Sequence, residues 1–133
     1  MIYIPQFFTL KELLHTDSGI PNIPTFEAVH NLSVLAQNLL DPIRAHWKRA
    51  IHVNSGYRSK EVNDFIKGAK NSQHMTGHAA DITAGSKDLN KQLFEVIVTA
   101  GLKFDQLIDE KDYQWLHLSY NAQGNRQQVL HLQ

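Results

Sequence analysis

The chain contains no cysteine. That absence excludes disulfide frameworks, thiol nucleophiles, CxxC redox motifs and cysteine-ligated zinc. Charge of either sign in excess is missing too: 13 Lys and Arg balance 13 Asp and Glu. A broad electrostatic footprint for nucleic acid needs a basic surplus, so no nucleic-acid partner is expected. No run approaches the roughly 20 apolar residues that span a bilayer, so no membrane insertion is expected. Met1-Ile2-Tyr3-Ile4-Pro5-Gln6 has neither a basic stretch nor a long apolar one, so it does not read as a secretory signal. The expectation is a chain that is cytoplasmic as synthesised. Repeats, low-complexity tracts and Pro/Gly/Ser linkers are also lacking, and 133 residues suit a single domain over 1–133, expected to be a monomer.

What the chain has is histidine, eight in all, at positions 15, 30, 46, 52, 74, 78, 117 and 131. The pattern around them predicts the frame. Thr9 to His15 reads as a short helix with Thr9 as N-cap and Glu12 completing a capping box. From about Thr25 to Trp47, Phe26, Val29, Leu32, Leu35, Leu39, Ile43 and Trp47 recur at helical steps and mark one buried stripe, which Pro42 should kink or divide. Ile51-His52-Val53 reads as a short strand. Ser59 should cap a helix running to about Lys67, ended by Gly68, and Ala79–Thr83 reads as a strand. Ser86–Ala100 is a second amphipathic helix, closed by Gly101. Phe104–Asp109 and Trp115–Tyr120 alternate like two paired strands. Helices come mainly first and an antiparallel pair late, which predicts an α+β fold.

Three segments could carry chemistry: Ser55-Gly56-Tyr57-Arg58-Ser59, Ser72 through Asp81, and Phe104–Glu110 followed by Trp115-Leu116-His117. Two imidazoles and a carboxylate make a zinc site with a fourth position open, and such an ion lowers the pKa of a bound water to about 7. His74 and Asp81 flank a glycine-containing turn, and His117 would come from a neighbouring strand. Glu110 or Asp112 would then accept a proton, and Arg58 would hold a carboxylate or oxyanion. Spacing alone leaves plainer readings open. Among eight histidines some pair falls near an acid by chance; Arg58 taken alone is more often a surface or salt-bridge residue, and Trp115 and Phe104 read most simply as core. His74 and His78 are four apart, but Gly77 interrupts a helix between them and no Glu follows His74.

Taken together, these segments resemble the zinc D-alanyl-D-alanine peptidase superfamily, which includes bacterial and phage peptidoglycan peptidases and the hedgehog signalling domain. The signature SxHxxGxAxD is complete in Ser72, His74, Gly77, Ala79 and Asp81. Ser55-Gly56-Tyr57-Arg58 matches its SGYR segment and Trp115-Leu116-His117 its closing W-x-H. The similarity runs from near Phe8–Leu13 to near Asn125–Leu130 and is nearest to a small single-domain phage or prophage branch.

The resemblance implies a hedgehog/DD-peptidase-like fold with helices on a small, mainly antiparallel sheet. It implies Zn2+ held by His74, Asp81 and His117, with Arg58 steadying the substrate and Ser72, Tyr57 and Trp115 lining its pocket. His78 sits at a variable position of the motif and is a bystander. Many members of the family place Glu or Asp three residues before the last histidine; here that residue is Gln114, which cannot accept the proton. Glu110, at the end of a strand resembling the hedgehog one, is the expected base, with Asp112 or Asp109 next in line. The implied function is a metallopeptidase cutting peptidoglycan stem or cross-bridge peptides. A zinc-containing binding or virion-structural module and a cytoplasmic D-Ala-D-Ala dipeptidase are the alternatives. A cytoplasmic wall enzyme would need phage-type release or carriage in a virion.

Overall fold

The computed structural model describes residues 3–133; Met1 and Ile2, on which the reading of the N-terminal hexapeptide partly rests, lie outside them. Five helices and five strands build an α+β fold: α1 Leu10–Leu14, α2 Phe26–Leu35, α3 Asp41–Trp47, β1 His52–Ser55, α4 Lys60–Phe65, β2 Ala79–Thr83, α5 Lys87–Thr99, β3 Gln106–Glu110, β4 Trp115–Ser119 and β5 Gln128–Leu132. The strands form one sheet in the order β1-β2-β4-β3-β5. Three pairings are antiparallel and β3–β5 is parallel. No helix among the described residues is long and apolar enough to cross a membrane.

Side-chain alternation divides the sheet by chemistry. Asp81 of β2 lies opposite His117 of β4, which lies opposite Ile108 of β3; Trp115 lies opposite Glu110. These residues share one face. Ala80, Ile82, Leu107, Leu116 and Leu118 occupy the other and are buried with Leu32, Leu35, Leu39, Leu93 and Ile97 of the helices in the core. Burial of that face sets the register, since a slip by one residue would turn the polar row into the core.

Caps define most helix starts as expected. Thr9 and Glu12 form the reciprocal capping box of α1, and Thr25, Ser59 and Ser86 accept from backbone amides at the starts of α2, α4 and α5. The long pattern from 25 to 47 is divided before Pro42 by a π-helical turn, Ala36–Leu40, in which Asp41 N–H donates to Ala36 O. Pro42 has no N–H to donate, and the wider turn leaves Asp41 helical despite the proline that follows it. Phe26 departs from the predicted stripe: it is 93% exposed, and burial begins at Ala28. At the end of α4 the left-handed residue is Lys67, φ 59°, rather than Gly68. A Cβ at Gly68 would sit 2.1 Å from Asn63 Oδ1, so the Asn63 side chain would have to shift to admit one.

Two features were not anticipated. β5 lies along β3 in parallel, and the β3–β4 turn carries three consecutive left-handed residues, Lys111, Asp112 and Tyr113. Each such residue is disfavoured by about 1–2 kcal/mol. Buried Asn90 holds the turn, its Nδ2 donating to Tyr113 O at 2.9 Å and its Oδ1 accepting from Ala84 N at 2.7 Å.

Candidate metal centre

Ser72 starts a single 3-10 turn, Gln73–Thr76, by accepting from His74 N–H, and Gly77 ends it at φ 81°. A Cβ on Gly77 would lie 2.4 Å from Ala28 O, so the helix α2 backbone itself requires glycine there. The turn buries His74, 2% exposed, beneath the SGYR loop. Arg58 N–H donates to His74 O at 3.0 Å, and His74 Nδ1 donates to Gly56 O at 2.7 Å. Gly56 presses against α1: Tyr57 N–H donates to Leu13 O at 2.8 Å, and a Cβ on Gly56 would stand 2.2 Å from that oxygen.

From the sheet, Asp81 and His117 meet His74. His74 Nε2 stands 3.2 Å and His117 Nδ1 3.1 Å from the same oxygen, Asp81 Oδ1, and one ligand atom of each of the three residues lies within 4.8 Å of the others. The rings of His74 and His117 meet edge to face at 5.2 Å. Burial disfavours the charged form of Asp81, but when both rings are protonated their charge and hydrogen bonds outweigh it and hold the carboxyl well below the usual carboxylate range. The second nitrogen of each ring also faces an oxygen, Gly56 O for His74 and Gln73 Oε1 for His117. A neutral imidazole carries one ring hydrogen, so neither ring can donate on both sides. With both rings neutral and donating to those outer oxygens, their lone pairs converge on one point beside Asp81, an arrangement that a cation satisfies. Two imidazole nitrogens and one carboxylate oxygen are a donor set that fits zinc with a position left open.

The triad opens onto a cleft of about 770 Å³ whose wall includes Ser72, Arg58, Glu110, Trp115 and Arg126. Arg58 Nη2 donates to Ser72 Oγ at 3.4 Å, while its Nε is buried without a partner among the described residues. Burial lowers the Arg58 pKa and the fields of Asp81 and Glu110 oppose that, so a charged, incompletely satisfied guanidinium faces the cleft. Glu110 Oε2 accepts from Trp115 Nε1 at 2.8 Å.

Other predicted residues fall elsewhere. Tyr57 is a correction: it is 6% exposed, packed in the core with its hydroxyl on Ile23 O at 3.4 Å, and does not line the cleft. The strand-like SGYR loop turns Arg58 outward and so turns its neighbour inward. The substitutes named for Glu110 also point away. Asp109 is on the core face, paired with His131 of β5, and exposed Asp112 pairs with Lys87. Gln114 is exposed in the turn and does not line the cleft. His78 contacts Thr76 Oγ1 at 2.6 Å outside the cleft.

Sequence reasoning missed Gln73, Asp105 and Arg126. Arg126 clamps the buried Asp105 carboxylate through Nε and Nη2, each at 2.9 Å, and Gln73 Nε2 donates to Asp105 Oδ2 at 2.8 Å. Only the position of Gln73 beside His74 offered a signal; Arg126 follows Asp105 at a distance of 21 residues with no local pattern linking them.

Over 85 residues, 62% of this chain, the sequence is 54% identical to the zinc D-Ala-D-Ala carboxypeptidase of Streptomyces albus G; that match spans 33% of the relative's length, so this chain corresponds to about one third of it. The family model described as Peptidase M15 matches residues 7–119, a span that includes the capped α1, the SGYR loop, the His74 turn and both β-strands that bring Asp81 and His117 together. By that match the chain belongs to the peptidase M15 family.

Proposed function

We propose that this chain is a zinc-dependent metallopeptidase, acting as one domain, that hydrolyses peptide bonds in bacterial peptidoglycan stem or cross-bridge peptides. The observation that carries the proposal is the convergence of His74, Asp81 and His117 in one cleft with Glu110 and Arg58. The name of the Streptomyces albus G relative supports the substrate class.

His74, Asp81 and His117 would hold the ion. Bound there, zinc supplies Lewis-acid polarisation of a carbonyl and makes water more acidic. The chain's own groups do the rest. Glu110 has one oxygen, Oε2, engaged by the Trp115 indole, leaving Oε1 to take the proton of the attacking water. The same carboxyl returns that proton to the leaving amine as the C–N bond breaks. Arg58, which lines the cleft, holds a substrate carbonyl or carboxylate oxygen with its guanidinium and stabilises negative charge as it develops. Ser72 and Trp115 form the walls against which the peptide lies. Delivery to the wall polymer by phage-type release or by carriage in a virion is part of this proposal.

The test is mass spectrometry of purified peptidoglycan after incubation with zinc-loaded protein, beside chelator-treated protein and His74→Ala. Zinc-dependent release of defined peptide fragments is expected and identifies the bond. Hydrolysis of the free D-Ala-D-Ala dipeptide, with the polymer untouched, would replace the wall substrate by a cytoplasmic dipeptidase. Folded, zinc-loaded protein that releases nothing from several wall chemistries would overturn catalysis in favour of a binding or virion-structural module.

A further inference from the structure

The two histidines of the triad are steadied by different devices. A backbone carbonyl, Gly56 O, fixes His74. Among the described residues His117 has no such neighbour: its Nε2 faces the side-chain amide of Gln73, with Oε1 at 3.4 Å. An amide can present either its oxygen or its NH2, so what holds the amide decides what His117 meets.

Asp105 holds it. This aspartate carries a 4% exposed side chain at the entrance to β3, where its backbone N–H donates to Ser119 O at 2.9 Å. Its Oδ1 accepts from Arg126 N at 3.0 Å and Nε at 2.9 Å, and its Oδ2 accepts from Arg126 Nη2 at 2.9 Å and Gln73 Nε2 at 2.8 Å. Four donors to one carboxylate keep it ionised, and an ionised carboxylate only accepts. The atom of Gln73 that faces it must therefore be the NH2, which turns Oε1 toward His117. An oxygen facing Nε2 calls for a hydrogen there, and a neutral ring has only one to give. Nδ1 is left with its lone pair on the side of Asp81 and His74.

We propose that Arg126, Asp105 and Gln73 form a polar relay that selects the His117 tautomer, making Gln73 a positioning residue for the metal site and extending its control to a C-terminal segment beyond residue 119. The relay rests on the zinc reading above and adds to it the groups that orient one ligand. The 3.4 Å contact is at the long end of hydrogen bonding, so the fixed direction of the amide matters more here than the strength of the bond. Arg126 also gives the otherwise unremarkable 120–127 connection a function: it carries the chain across to β5 and delivers the clamp on the way.

The test measures zinc affinity by competition with a chromophoric chelator on the full chain, together with the imidazole Nε2–H resonance of His117 in zinc-loaded protein. Gln73→Leu is expected to weaken zinc binding about 10- to 100-fold, the usual cost of losing a partner of a ligating histidine, and to abolish slow solvent exchange at that proton. Arg126→Met, at a side chain that is 57% exposed, should act in the same direction by a smaller factor. A merely structural Gln73 would lower the unfolding temperature of metal-free protein and leave both readouts as in the parent, and that result overturns the proposal. Should Gln73→Leu not fold, Arg126→Met decides, and parent-like affinity with a parent-like proton signal overturns it. Failure of the underlying metal reading looks different: the parent itself would bind no zinc, or His117→Ala would bind it equally well.

Discussion

Trp115 and Glu110 face each other across the β3–β4 hairpin, the indole Nε1 donating to Glu110 Oε2 at 2.8 Å. The pair joins the last residue of one strand to the first residue of the next, so the hairpin's strained turn determines where the proposed base sits. Glu110→Gln should retain zinc and lose about 10²- to 10⁴-fold in kcat, the range for a positioned acid–base group. Trp115→Phe keeps an aromatic wall, though a smaller one, and removes the donor to a carboxylate, so about a ten-fold fall in kcat is expected. Steady-state kinetics with zinc content measured on the same samples would check both; activity at the parent level in Glu110→Gln would place the base elsewhere.

Arg58→Lys preserves the charge and loses the fork of the guanidinium, including the buried Nε–H. Loss of one preorganised donor to a developing oxyanion costs about 10²- to 10³-fold in kcat. Zinc affinity should be unaffected, and a variant that also binds zinc less well would mean that Arg58 supports the His74 turn rather than the substrate.

Gly56→Ala tests the packing that seats His74. The added Cβ would stand 2.2 Å from Leu13 O, so the loop must move away from α1. Overpacking of this kind costs about 1–3 kcal/mol, and the displaced Gly56 carbonyl should weaken zinc binding as well. Thermal unfolding of metal-free and zinc-loaded protein separates the two effects.

Asp105 gives an acid-sensitive contribution to stability. Hydrogen bonds from Arg126, opposed by burial, hold its pKa down to about 2. Between that value and the ordinary carboxylate value near 4, the unfolded chain binds the proton more readily. The stabilisation is therefore complete above about pH 4 and is lost as the pH falls toward 2. Denaturant unfolding across that range should show a shallower acid loss in Asp105→Asn than in the parent; equal slopes would show that other carboxylates dominate.

Much of the frame is legible because its signals are local. Thr9 with Glu12, Thr25, Ser59 and Ser86 announce helix starts through contacts only three residues long. Leu32, Leu35, Leu39 and Ile43 mark a buried stripe by period alone. Phe26 breaks the inference because period reports a face and not where the neighbouring layer ends. β5 escapes it for a similar reason: Gln128–Leu132 pairs in parallel with β3, a contact between residues 22 apart in the chain that leaves no mark within either segment.

The sequence by itself determined the donor types, the glycine-ended turn that carries His74, and the alternation along one strand that puts Trp115 and His117 on one face while Leu116 and Leu118 go to the other. Those follow from backbone periodicity and from glycine at Gly77, which act over a few residues. Only the tertiary structure decided that Asp81 and His117 lie in register, that Tyr57 turns inward while Arg58 turns to the cleft, and that Arg126 reaches Asp105 to orient Gln73. The register depends on strand order, and the turning of Tyr57 and Arg58 on the close approach of Gly56 to Leu13 O. They are contacts between distant segments, made only when burial of the shared core brings those segments together.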